Sequence, residues 1–108
     1  MFLNHKGYIT DRGGATFEVG LPIQHTSGYQ VGTLDGTEYT SANLNELLLL
    51  ADVMELKNCG FWYSDASKLW YLDTSSVHIK DRAKAEAIGR ENNQKAIFDW
   101  STGEEITL

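Results

Sequence analysis

Hydrophobic and polar positions alternate most regularly in two stretches of the second half of the chain, and both read as hairpins. In the run GFWYSDASKLWYLD from Gly60 to Asp73, the turn falls at Asp65-Ala66-Ser67-Lys68. Pairing outward from it sets Ser64 opposite Leu69, Tyr63 opposite Trp70, Trp62 opposite Tyr71 and Phe61 opposite Leu72. Alternation then puts Phe61, Tyr63, Trp70 and Leu72 on one face, and Trp62, Leu69 and Tyr71 beside Ser64 and Asp73 on the other. A sheet covered on one side shows a clean alternation of apolar and polar residues, and this one does not. The terminal run QKAIFDWSTGEEITL reads as a hairpin around a three-residue loop, Ser101-Thr102-Gly103. That register places Ala96, Phe98, Trp100, Ile106 and Leu108 on one face, and Ile97, Asp99, Glu105 and Thr107 on the other.

Between these hairpins the pattern changes to a helical one. Asp81 suits an N-cap for a helix over Arg82 to Glu91, because its carboxylate accepts from the free amides of the first turn. Ala83, Ala87 and Ile88 supply a narrow apolar stripe, Glu86 precedes Arg90 in the favourable i,i+4 order, and Asn92-Asn93 ends the helix.

In the first half the pattern is weaker. Phe2-Leu3 and Tyr8-Ile9 before Asp11-Arg12-Gly13-Gly14 suggest an edge strand and turn, Ala15 to Val19 alternates, and Gly20 to Gly28, with Pro22, reads as an irregular connection. Asp35-Gly36 between Gln30–Leu34 and Thr37–Thr40 is the dipeptide that a type I′ hairpin turn prefers, since both central residues need positive φ. Ser41 or Asn43 then caps a helix running to about Lys57. At about 100° per residue, Leu44, Leu47, Leu48, Leu50, Ala51 and Met54 form one apolar arc, while Leu49, Val53 and Leu56 lie on the opposite side. A helix apolar on both sides needs a second cover, which a second copy of the chain supplies in a homodimer. The order of elements, ββ-ββ-α-ββ-α-ββ, predicts an α+β fold: an antiparallel β-sheet built of hairpins with two α-helices packed on it.

Several of these residues recur together in a known kind of protein. Gly60 to Asp73 with Trp62 and Tyr71-Leu72-Asp73, followed by Asp81-Arg82, Ala85, Gly89-Arg90, Asn93-Gln94, Ala96-Ile97-Phe98-Asp99 and Gly103-Glu104-Glu105-Ile106, resembles a pattern of uncharacterised phage and prophage small proteins. Gly28-Tyr29 with Val31 fits it more loosely. The resemblance implies a phage accessory origin and brings no active site with it.

Composition narrows the class further. A length of 108 residues, 42% hydrophobic, fits a single globular domain over 1–108. With one cysteine, Cys59, no disulfide can form within the chain, and that residue reads as a small half-buried side chain. No window approaches the roughly 18 apolar residues of a membrane span and no basic, apolar leader is present, so the expected location is the host cytoplasm, with no membrane partner. Fifteen acids against nine bases give a net charge of −6, which disfavours a nucleic-acid backbone as partner and suits a basic groove on another protein, or solubility alone.

Candidate chemistry is sparse. His5, His25 and His78 are isolated from one another and from Cys59 along the chain, so no metal or other cofactor is expected. Gly13-Gly14 before a strand is too little for a phosphate loop. A Cys59 and His78 pair could meet only through the fold. The acids Asp99, Glu104 and Glu105, and Asp35 with Glu38, sit at hairpin tips, where a solvated rim is the plain reading. Ser64 and Ser75-Ser76 have no adjacent histidine. The chain is therefore expected not to be an enzyme.

Aromatic anchors favour protein interfaces, which singles out Trp62 and Tyr71, with Leu49, Val53 and Leu56 on the helix ridge and Glu104 and Glu105 as steering charges. The leading expectation is an anti-defence inhibitor that binds a host defence protein such as a CRISPR effector. Two alternatives stand beside it: an oligomeric binder that sequesters a small nucleotide signal through Arg82 and Arg90, and a structural or assembly domain of a phage particle.

Overall fold

The computed structural model describes residues 1–33 and 38–108. In chain order these hold a 3-10 turn (Phe2–His5), α1 (Lys6–Arg12), β1 (Gly14–Glu18), β2 (Leu21–Ile23), β3 (Tyr29–Gly32) and β4 (Glu38–Ser41). There follow α2 (Leu44–Val53), β5 (Cys59–Ser64), β6 (Leu69–Asp73), β7 (Ser76–Ile79), α3 (Arg82–Glu91), β8 (Ala96–Asp99) and β9 (Glu104–Thr107). The fold is α+β and every strand pairing is antiparallel. Instead of one sheet there are two, in two compact units: Met1–Ile23 with Glu38–Thr74, and Gln24–Thr37 with Ser75–Leu108.

The first unit carries a five-stranded sheet in the order β2-β1-β5-β6-β4. Its central hairpin, β5 with β6, has the register expected from alternation, with Trp62 opposite Tyr71 and Phe61 opposite Leu72. Phe61 and Leu72 enter a core with Phe17, Cys59 and the α2 residues Leu44, Leu47, Leu48 and Ala51. Fully burying one such large side chain contributes about 1.5–3 kcal/mol, so this face specifies the register strongly.

The N-terminal stretch is helical and not the expected edge strand. Phe2 and Ile9 lie about two helical turns apart and both are buried in the same core. Gly13 closes α1 at φ 72°, a left-handed conformation that glycine adopts without a steric cost.

Asn43 is the N-cap of α2: its side-chain oxygen accepts from the Asn45 amide at 3.0 Å. The helix stops at Val53, short of the expected Lys57. Glu55 takes φ 54°, its amide donates to the Asp52 carbonyl, and the Leu56 amide donates to the Ala51 carbonyl, both at 3.1 Å. This pair of bonds is a Schellman closure, and it turns Leu56 back against the core.

The second unit has the strand order β7-β3-β8-β9 with α3 against one face. Ala85 and Gly89 of α3 are buried on Val31 and Ile97, with Ile88 packed beside them. The expected stripe was rotated, since Ala83 and Ala87 are exposed. Gly89 sets how closely α3 approaches. A Cβ there would lie 2.6 Å from Leu108 Cδ1 and 3.2 Å from Ile97 Cγ2.

The last hairpin differs from expectation by one residue. Asp99 pairs with Glu104 across a four-residue loop that includes Trp100, closed by the Gly103 amide on the Asp99 carbonyl at 2.8 Å. Ile97 therefore faces Ile106 and enters the core, while Phe98 faces Glu105 on the opposite side. A shift of one residue exchanges the two faces of a strand, so Ile106 shares its face with Ile97 and not, as expected, with Ala96 and Phe98. The Asp35-Gly36 turn lies outside the described residues. The strands flanking it do not pair with each other: β3 lies between β7 and β8, and β4 pairs with β6.

Candidate functional site

On the first sheet, the face opposite the core carries the strongest candidate. Trp62 and Tyr71 face each other across β5 and β6, with ring centroids 4.2 Å apart and planes 9° from parallel. Both are half-buried, although neither belongs to the core cluster. Neighbouring strands add only small groups to their row, Gly14 from β1 and Thr40 from β4. Gly14 is required there: a Cβ would sit 2.7 Å from the Phe61 carbonyl oxygen and 3.3 Å from Trp62 Cβ. Tyr71 Oη makes a 3.3 Å hydrogen bond with Ser67 Oγ in the turn, which fixes the lean of its ring.

Two residues along the same strands, Glu38 of β4 lies directly opposite Asp73 of β6, and Asp73 lies opposite Gly60 of β5. A Cβ at Gly60 would find only the Ala15 carbonyl oxygen, at 3.8 Å. The face thus presents an aromatic pair, a position without a side chain and two carboxylates in adjacent rows. Sequence alternation gave the aromatic pair; the carboxylates' placement depended on β4 joining β6, which no local signal encodes.

The other expected contact residues do not join this patch. Leu49 is 51% and Val53 80% exposed on α2, which packs on the opposite side of the sheet, and Leu56 has left their ridge for the core. Glu104 and Glu105 are exposed on β9 in the second unit. Arg82 and Arg90 both bind Glu86, at 2.8 and 3.3 Å, one helical turn away on either side. These bonds hold the Glu86 carboxyl below its usual range and raise the Arg82 guanidinium. Asp35, the expected acidic neighbour of Glu38, lies outside the described residues.

A second aromatic cluster escaped the sequence reading. On the face of the second sheet away from α3, His25 and His78 stack with centroids 3.7 Å apart and planes 10° from parallel. Trp100 meets His25 edge to face at 5.5 Å and Phe98 at 5.0 Å. Directional bonds fasten the cluster. The Trp100 indole N–H donates to Gln30 Oε1 at 3.1 Å, Gln30 Nε2 donates to Ser76 Oγ at 2.9 Å, and His78 Nε2–H donates to the Ser27 carbonyl at 2.8 Å. The one available signal was Gln30 alternating with Tyr29 and Val31; nothing local joined His25 to His78.

Reactive chemistry is poorly served by what is present. Burial, with the charge of Asp73 behind it, pushes the Cys59 thiol up to about 12, so it stays protonated and a poor nucleophile at neutral pH. Cys59 and His78 belong to different units. Gly13-Gly14 follows α1 and does not open a helix, the reverse of a phosphate loop. Among the described residues no three metal-ligating side chains come together, and no helix is long and apolar enough to cross a membrane. An open depression of about 440 Å³ in the first unit is lined in part by Phe2, Val19, Asp52, Glu55 and Lys57, and Asp52 Oδ1 there accepts from the Phe2 amide at 2.7 Å. No family model matches the chain, and no curated protein or solved structure matches it either.

Proposed function

We propose that the chain is a non-enzymatic phage accessory protein that binds and inhibits a host defence protein in the host cytoplasm, in the manner of an anti-CRISPR. The stacked pair Trp62 and Tyr71 carries this reading. Two large rings half-exposed on a sheet face, outside the core and flanked by Gly14 and Thr40, are the kind of anchor that dominates protein interfaces. A net charge of −6 adds electrostatic steering towards a basic partner. The nucleotide-binding alternative gains less support, because Arg82 and Arg90 already share Glu86. The exposed Leu49 and Val53 offer a separate apolar contact suited to a homodimer.

Affinity capture from host lysate with the wild-type chain and Trp62→Ala tests the reading. Removing a hot-spot ring is expected to cost about 2 kcal/mol or more of binding while the circular dichroism spectrum is unchanged. Tyr71→Ala should act in the same direction. Retention of the captured partner at wild-type affinity by both variants would remove this face from the proposal. Sedimentation of wild type and Val53→Asp reports separately on the homodimer.

A further inference from the structure

We infer that the free edge of β9 takes up an extended, basic segment of the partner protein as a further strand of the second sheet. The inference rests on the reading of the chain as a protein binder, and it uses residues of the second unit in place of Trp62 and Tyr71.

The backbone supplies the site. In the order β7-β3-β8-β9, β9 has a neighbour on one side only. The Trp100 amide donates to the Gly28 carbonyl on the β3 side of β8, and the Leu108 amide donates to the Lys95 carbonyl on its β9 side, both at 2.9 Å. Bonded and non-bonded pairs alternate along an antiparallel ladder, so β9 bonds to β8 through Glu104 and Ile106, in step with Leu108. Glu105 and Thr107 therefore turn their N–H and C=O groups to the open side. Both residues are exposed, and unspent backbone groups at a sheet edge are a template for another strand.

Side chains select the occupant. Glu104 and Glu105 give β9 two carboxylates, whereas the other edge strands have none on β2 and β7 and only Glu38 on β4. Among the described residues neither carboxylate has a hydrogen bond or ion pair, and β8 and β9 contain no lysine or arginine. An acidic strand laid here meets like charge directly across, and a basic one gains opposite-charge pairs. The net charge of −6 repels a second copy at long range and attracts a basic segment. Ile106 faces α3 and is half-buried with Ile88 and Leu108 at the rim of the small core, so an apolar residue opposite it extends that core. The matching antiparallel segment has an apolar residue followed by two basic ones, set opposite Ile106, Glu105 and Glu104.

The test is a titration of the full-length, ¹⁵N-labelled chain with the capped peptide threonine-threonine-valine-lysine-lysine-threonine. Saturable shifts and slowed hydrogen exchange are expected at the Glu105 and Thr107 amides. Methylating the amide nitrogen of the first lysine, the donor to the Glu105 carbonyl, should weaken binding about tenfold, and glutamine in place of both lysines about fivefold. Thr107→Pro removes an N–H that the β8–β9 ladder does not use and should act as the methyl group does. Glu105→Lys, at an exposed position, should also weaken the lysine peptide and keeps the test readable if the proline variant misfolds. No saturable binding, equal affinity for the methylated or glutamine peptide, or shifts confined to other residues overturns the inference. Protection of both amides in the free chain, with a dimer in sedimentation, assigns the edge to a second copy and overturns it too. Lysate capture separates the two readings: loss of the partner with Thr107→Pro and Glu105→Lys supports the added strand, with or without loss in Trp62→Ala. Retention by both edge variants while Trp62→Ala loses the partner leaves the protein binder standing and removes the added strand.

Discussion

Each of the two sheets carries aromatic residues on the face away from its helix, and they are held in opposite ways. Trp100 in the second unit is tied through its indole N–H to Gln30, which is tied to Ser76, and it packs edge-on to His25 and Phe98. In the first unit, Trp62 and Tyr71 lean chiefly on each other, with one bond from Tyr71 to the turn. The cores differ in the reverse sense. Among the described residues, ten buried ones form the first, including Phe2, Phe17 and Phe61, whereas Val31, Ala85 and Ile97 form the second. The unit with the small apolar core ties its outer aromatics into a hydrogen-bonded network, and the unit with the large one holds its pair mainly by their mutual stacking.

The comparison breaks most clearly at the cores. Phe61→Ala should cost about 3–5 kcal/mol in denaturant unfolding, through lost burial and the cavity left behind. The second largest contrast lies between the outer tryptophans. Trp100→Ala should cost about 2 kcal/mol of stability, because it strands the Gln30 carbonyl and opens the His25 stack, whereas Trp62→Ala should cost less than about 1 kcal/mol. Equal losses for the two would erase the distinction between a structural and an available ring.

A third effect sharpens the account of the first core. Cys59 has its folded pKa raised from 9.0 to about 12 by burial, so the unfolded chain ionises first as pH rises. Its contribution is fully present below pH 9 and is lost between pH 9 and about 12. At one unit above the unfolded value the loss is about 1 kcal/mol, read as a slope in wild-type stability that Cys59→Ala lacks. The smallest expected change has the opposite sign. Glu55→Gly relieves a left-handed non-glycine residue at φ 54° and should stabilise the first unit by about 0.5–1 kcal/mol, measured as a rise in denaturation midpoint.

How far these features could be read from sequence depends on where their determinants lie. The hairpin β5 with β6 was legible in register and face, because four cross-strand pairs around one turn all agree with a buried Phe61 and Leu72. The hairpin β8 with β9 was legible as a hairpin only. Counting Trp100 as strand instead of loop shifted the pairing by one, and both faces of β8 hold apolar residues, so the pattern could not correct the slip. At the N-terminus, short apolar bits looked like a strand, although the seven-residue spacing of Phe2 and Ile9 and the Arg12-Gly13 ending were helix signals. Of the aromatic and acidic face, Trp62 and Tyr71 were readable from alternation. Glu38 was not, since Asp35-Gly36 suggested that its strand would return to β3, whereas it pairs with β6. The stack of His25 on His78 depends wholly on tertiary placement.

The interleaving of the two units in the chain also governs how the protein can emerge from a ribosome. Every segment of the first unit has been made once Thr74 is synthesised, but by then β3 has long been waiting, since its partners β7 and β8 come later. A nascent chain paused there would carry one completed sheet and one strand with both edges bare, the state in which strands pair with the wrong neighbour. No single cut separates the units, because each is made of two segments threaded through the other's sequence. A premature stop between Thr74 and Ala96 would therefore leave β3 with at least one bare edge, an aggregation-prone product in place of a smaller working domain.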